Sequence, residues 1–581
     1  MSRDGEKNFL ASIGFVLFGG VLIIGILIAI LYIFPSATIF GVSAVSEKQA
    51  YTTYYGSAFE DAMSSRNIII ESKNTPIEVW LRKEYQESTN PEEDIVQPTI
   101  TVFEDASGLA INSPDRTLIE VRQVIVDKQN NIFDPSEGIR GAVFYKIKIN
   151  EPTGAVRRNA KVYLNMIKAS VEEDEGEIHS FNKYNFILNT GASSVSFFSD
   201  PVDPAASELD KTIYVDTLEV NGGGKISLPT KTTTGMAFQM EVDELLVNGS
   251  GNSIDARLDV QKRVKVVGSD NKIDAANIGS PTQSERHIAI DLAGGNNSLS
   301  FDDCFGHVNI DSTSGTIKGR SALNTTVKTR DANITITTVN GFFDMTSTSG
   351  SATIETVQTD FDMTTQNGRA DITSARGSLT FNASGNGSLT ARHIAGTTDI
   401  TTNKGYITLG GGSGALKGVF GNTTVNTVSG AVDITFGEFA EADPRPTTVV
   451  NAGDGNVKLV GVCGDTEVNM PAGTKGSVSA YIKEVAENSD EPSIRITLLG
   501  AYEPTNTYHT VKLYLMNGVN PFWLQVSRSS SAFDYRTNPA QYLENYYGDK
   551  NTGRHSIGGA TASTFNIIQV STATVFELRN A

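Results

Sequence analysis

A twelve-residue phrase that recurs between residues 308 and 459 constrains the fold of this chain more than any other feature. One copy reads Phe343-Asp-Met-Thr-Ser-Thr-Ser-Gly350-Ser-Ala-Thr-Ile354, and the next reads Phe361-Asp-Met-Thr-Thr-Gln-Asn-Gly368-Arg-Ala-Asp-Ile372. Looser copies begin at Val308, Thr325, Leu379, Thr398, Thr423 and Thr448. Their third positions are Ile310, Val327, Met345, Met363, Phe381, Ile400, Val425 and Val450, spaced by 17, 18, 18, 18, 19, 25 and 25 residues. Each copy is an alternating strand, a Gly-centred bend and a second alternating strand. So short a unit cannot bury its apolar side alone and must stack on its neighbours. The predicted fold is therefore all-β, a parallel β-helix or β-solenoid of about 18–20 residues per coil, with a right-handed winding expected.

The columns of the repeat assign a job to each position. With period-2 alternation the third residue points inward, and the second and fourth face water as Asp344, Thr346, Asp362, Thr364, Asp399 and Thr401. The fifth position is small (Ser312, Thr329, Ser347, Thr365, Ala383, Thr402, Thr427, Ala452), and its inward hydroxyls could bond one another or nearby backbone. The eighth is Gly315, Gly350, Gly368, Gly405, Gly430 or Gly455, with Ala332 and Asn386 as exceptions. A recurrent bend glycine implies either positive φ or a backbone too crowded for a side chain. The spacings of about 25 residues mark loops bulging from particular corners.

Weaker copies (Leu218 to Ile226, Leu246 to Ile254, Val266 to Ile273) carry the rhythm upstream. Counting from Tyr214 to Ile482 gives on the order of twelve coils, roughly 55 Å of stack at ~4.8 Å per coil. The domain reading is then a short tail at 1–8, a transmembrane helix at 9–34, a linker at 35–67, a β-rich membrane-proximal region at 68–205, the solenoid at 206–483 and a β-rich capping region at 484–581. Residues 51–205 are either a small β-sandwich or early, irregular coils. A short helix from Asn538-Pro539 to before Gly548 is expected to help cover the open end of the stack.

Phe9 to Phe34 is an uninterrupted apolar stretch without charge, about 39 Å long as a helix and so able to span a bilayer with tilt. It exceeds the apolar core of a signal peptide, although Val42-Ser43-Ala44 resembles a cleavage site. Arg3 and Lys7 precede it and the next basic residue is Lys48, so the bulk of the chain is expected on the extracytoplasmic side of a cell membrane. A formal charge of −19 argues against nucleic acid as a partner. Cys304 and Cys463 lie about eight coils apart, beyond disulfide reach, and read as buried thiols.

Catalytic signatures are weak. The six histidines show no metal-ligand spacing, and Gly222-Gly-Gly-Lys225 is followed by Ile226 where a phosphate loop needs Ser or Thr. The best enzymatic case is the outward pair Asp344 and Asp362, placed about 5 Å apart on successive coils, a separation that suits a retaining glycosidase or a shared Ca²⁺. Thr326 and Thr380 occupy the same slot on the flanking coils, and a solvated acidic patch is the plainer reading. No catalytic residue, cofactor or metal site is assigned. Sequons at Asn248, Asn296, Asn324, Asn333, Asn382, Asn386 and Asn422 offer glycosylation sites if the host modifies secreted proteins.

The phrases Ser347-Thr-Ser-Gly-Ser-Ala-Thr-Ile354 and Asn426-Thr-Val-Ser-Gly-Ala-Val-Asp-Ile434 resemble the adhesin-type β-solenoid domains of bacterial and archaeal surface proteins. The resemblance covers roughly residues 210–480 and implies a cell-surface solenoid, with no binding residues to carry over. The longer corner loops and the C-terminal extension depart from that family. Together these readings describe a non-catalytic, membrane-anchored extracellular module for adhesion or structural binding, its partner a protein or a glycan. The alternatives are an accessory subunit docking in a larger membrane complex or filament, and a parallel β-helix enzyme acting on carbohydrate.

Overall fold

The computed structural model describes residues 21–22, 26, 38–39, 42–45, 48–54, 67–83, 99–111, 119–129, 131–137, 141–149, 154–166, 183–199, 212–228, 239–282, 287–411, 417–440, 443–471, 474–486, 492–499, 510–528, 534–537, 553–557, 567–572 and 575–580. Apart from Val21, Leu22 and Ile26, the apolar stretch at 9–34 lies outside these residues, as does the helix expected after Asn538. Among the described residues no helix is long and apolar enough to cross a membrane. The chain is all-β and divides into two compact units, Met1–Ala276 and Asn277–Ala581.

In the second unit the repeat stacks in parallel, in the register its columns predict. Ile310 pairs with Val327, Val327 with Met345, Met345 with Met363 and Met363 with Phe381. Phe381 pairs with Ile400, Ile400 with Val425 and Val425 with Val450. The ladder then runs on through Val468 and Ile496 to Val570, past the end of the recognisable phrase. The second strand of each coil builds its own column, Ile336–Ile354–Ile372–Ala391–Leu409–Ile434, continuing to Leu459, Ala480 and Leu513. Alternation sets the burial: Phe343, Met345 and Ser347 are buried while Asp344 and Thr346 are exposed, and the next coil repeats this residue for residue. Phe343 and Phe361 stack with centroids 5.3 Å apart and rings 4° from parallel, as in-register identical side chains should.

Crowding applies at the bend glycines throughout, and two of them add positive φ: a Cβ at Gly315 or Gly455 would also overlap a carbonyl oxygen of the coil below. Gly315 and Gly455 have φ of 135° and 138°. Gly368, Gly405 and Gly430 are needed for space, because a Cβ at each would overlap the carbonyl oxygen of the glycine one coil below. Asn386 is only an apparent exception: the extra residue of that coil is absorbed at the corner, Arg369 pairs with Ser388, and Gly387 takes the glycine slot. The small fifth-position residues do turn inward. Ser347 donates to Thr365 Oγ1 at 2.9 Å, and Thr365 accepts from Gly368 N–H at 2.8 Å. The hydroxyls of Thr402 and Thr427 are buried without a partner among the described residues. In the 25-residue coils the extra residues leave after the second strand, following Ile407–Leu409 and following Val432–Thr435.

The first unit contains the upstream coils. Val220 pairs with Val247 and Val247 with Val266 in parallel, and Leu188 joins Val220 from below. Of the two readings of residues 51–205, the early irregular coils describe the strands: Asn67–Glu71 pairs in parallel with Tyr184–Gly191, and Ile77–Lys83 with Val195–Ser199. Antiparallel strands are added to these coils. Ile119–Val126 runs against Ala142–Ile149, and Thr99–Ile111 against Gly154–Met166.

Candidate functional site

Asp344 and Asp362 are brought together as the repeat predicts, directly paired on adjacent strands and both exposed. Partial burial, and after it the charge of Asp344, hold the Asp362 carboxyl above the usual carboxylate range. Thr326 and Thr380 flank the pair in the same slot. Among the described residues, no group of three or more His, Cys, Asp or Glu could hold a metal ion. Two adjacent carboxylates with hydroxyls in the neighbouring slots repel one another.

The sequons fall into two geometries. Asn296, Asn333, Asn386 and Asn422 are exposed, whereas Asn248, Asn324 and Asn382 are half-buried. The side-chain amide of Asn248 is committed to a ladder, donating to Asn221 Oδ1 at 3.0 Å, while Asn221 in turn donates to Asn189 Oδ1 at 2.9 Å. A second ladder runs Asn469 to Asn451 to Asn426 at 3.1 and 2.8 Å. In-register amides of this kind satisfy one another along the stack, which makes them architectural groups.

Cys304 and Cys463 are both free and buried, as expected. Burial pushes their thiols up to about 12 and about 11, so neither presents a thiolate at neutral pH.

A feature that no motif announced lies at the glycine corner of four successive coils. There the column Gly387–Gly405–Gly430–Gly455 leaves the corner bare of side chains and opens a cleft of about 540 Å³. One wall is the paired column Lys404–Ser429–Asp454. The other is Tyr406, Ala431 and Asn456, each one residue ahead of the paired Ile407, Val432 and Val457. Asn386 stands at the lower end, exposed. Tyr406 is 74% exposed. The signal for this site is in the sequence: one slot reads Ser388, Tyr406, Ala431, small–aromatic–small. It becomes legible only after coils of 18 and 25 residues are aligned through their strands.

Comparison with family models, curated proteins and solved structures finds no match for this chain.

Proposed function

We propose that the chain is a non-catalytic surface module, anchored in a cell membrane by the helix at 9–34 and exposing its right-handed solenoid on the extracytoplasmic side for adhesion or structural binding. The observation that carries the reading is the in-register ladder of the second unit, in which outward side chains recur at one slot on coil after coil. Such a surface is stiff, because every coil is hydrogen-bonded to the next, and a stiff repetitive surface suits recognition of a repetitive partner. The adhesin-type resemblance of residues 210–480 supports the same role, and the charge pattern around the apolar stretch supports the orientation. The test has two arms. Protease added to intact cells should digest the chain while sparing an N-terminal fragment, and the detergent-extracted full chain should bind cells or immobilised glycans or proteins. Full protection from protease, or no binding to any of the three, sinks the proposal.

A further inference from the structure

We propose that the glycine-floored cleft over residues 386–456 is a carbohydrate site that takes a short stretch of a neutral, unbranched polysaccharide lying along the stack, an inference that rests on the binding-module reading above. The central observation is the setting of Tyr406. Other surface aromatics of the ladders cover one another, as Tyr481 does with Tyr514 at 4.3 Å and Trp80 does with Phe198 at 4.9 Å. Among the described residues Tyr406 has no ring in its own slot on either adjoining coil. In its register the coil below offers Ser388 and the coil above offers Ala431, so both faces of an exposed ring are open. A rigid, half-apolar face of this kind is what a sugar ring's C–H surface packs against, and it loses little conformational entropy in doing so.

The walls supply the hydroxyl-matching groups. The Lys404 ammonium, the Asn386 side-chain amide and the Tyr406 hydroxyl make no hydrogen bond or ion pair among the described residues, although the Asn386 backbone N–H donates to Asn367 Oδ1 at 2.9 Å. Asn456 accepts from Ser477 at 2.8 Å through Oδ1, which leaves its Nδ2 as a donor. Asp454 Oδ1 accepts from Lys475 N–H at 2.6 Å, and its second oxygen remains as an acceptor. One ammonium and one carboxylate stand in the same wall, so this corner favours neither polyanion nor polycation even though the chain carries −19.

Backbone bonding disfavours an extended peptide as the occupant. Gly430 N–H donates to Asp454 O at 2.9 Å, Ile407 N–H to Ala431 O at 2.9 Å and Gly455 N–H to Lys475 O at 2.8 Å. With these groups used between coils, the floor has no free edge to accept an added strand. Recognition is left to side chains and one ring, and the cleft volume lies within the range of small-ligand sites. Four coils at ~4.8 Å spacing give a track of about 14 Å, enough for several linked sugar rings.

The test is calorimetric titration of the purified full chain with neutral hexasaccharides of β-1,4-glucan, β-1,4-mannan, β-1,4-xylan and α-1,4-glucan. At least one should bind. Tyr406→Ala should weaken that binding about tenfold or more, and Tyr406→Phe should retain most of it. Ala431→Leu, which covers one ring face from the next coil, should also abolish binding, and it carries the test if Tyr406→Ala fails to fold. Asp344→Asn should change nothing. Binding of no hexasaccharide, or binding indifferent to both Tyr406→Ala and Ala431→Leu, overturns the site. A chain that binds cells or a protein but no hexasaccharide sinks this inference and leaves the surface module standing. Tyr406-dependent sugar binding by a protein that protease cannot reach on cells does the reverse.

Discussion

In the strands from Val308 to Val450, register is held by like side chains set on like side chains: Phe343 on Phe361, Met345 on Met363, Ile354 on Ile372. Between Ile68 and Val267 the parallel pairing is the same, but polar groups do much of the aligning. Asp216 and Asp243 fall in unpaired slots, and the strand Ser253–Val267 carries two such residues, Gln261 and Lys262. These stacked bulges turn Asp243 inward to 4% exposure, where it accepts from Lys183 Nζ at 2.6 Å and from Lys262 Nζ at 2.7 Å. Asn252 and Asn271, each 1% exposed, bond across the same unit at 3.0 Å. An apolar column tolerates any register that keeps inward residues inward, while a buried ion pair tolerates only one. The repeat of the second unit needs no such pins, because identical coils repeat the correct register at every step.

Three substitutions test this contrast. Phe361→Ala should have the largest effect, about 3–5 kcal/mol lost from the second unit, since a fully buried ring is removed between two neighbours that cannot close the gap. Hydrogen exchange should speed up at Phe343–Ser347 and Leu379–Ala383, while protection within residues 67–276 stays as it was. A uniform loss of protection across both units would show that they do not rely on separate stacking. Asp243→Ala should cost the first unit about 3 kcal/mol, near the lower end for a broken buried pair because Lys262 reaches solvent. Unchanged denaturant unfolding in that variant would remove the ion pair from the register argument.

The smallest effect is expected for Asp362→Asn, and its sign follows from the raised carboxyl. The folded state holds that proton more tightly than the unfolded state, so ionisation opposes folding at neutral pH; the opposition fades as pH falls through the raised folded value and is gone below the unfolded carboxylate value. The variant should therefore melt slightly higher than the parent at neutral pH, with the gap closing in acid. A gap that widens in acid would mean that the Asp344–Asp362 stack stabilises the coil as a charged pair.

Much of the candidate surface could be read before any coordinates. The outward placement of Asp344 beside Asp362 follows from alternation and an 18-residue period, and the two residues pair on adjacent strands. The Asn189–Asn221–Asn248 ladder is harder to read that way: the weaker copies at 218–226 and 246–254 align Asn221 with Asn248, but Asn189 lies 32 residues upstream, before the first of those copies. The status of Asn248 as a sequon says nothing of its amide being occupied.

Sequence alone determined that residues 308–459 stack in parallel, because a strand–bend–strand phrase recurring every 17 to 25 residues can bury its apolar side only against its neighbours. Tertiary structure alone decided that Lys183 meets Asp243, that antiparallel strands join the early coils, and that Tyr406 keeps both faces open. Each of those outcomes depends on which residue an adjacent coil places in the same slot, and irregular coil lengths hide that residue until the backbones are paired.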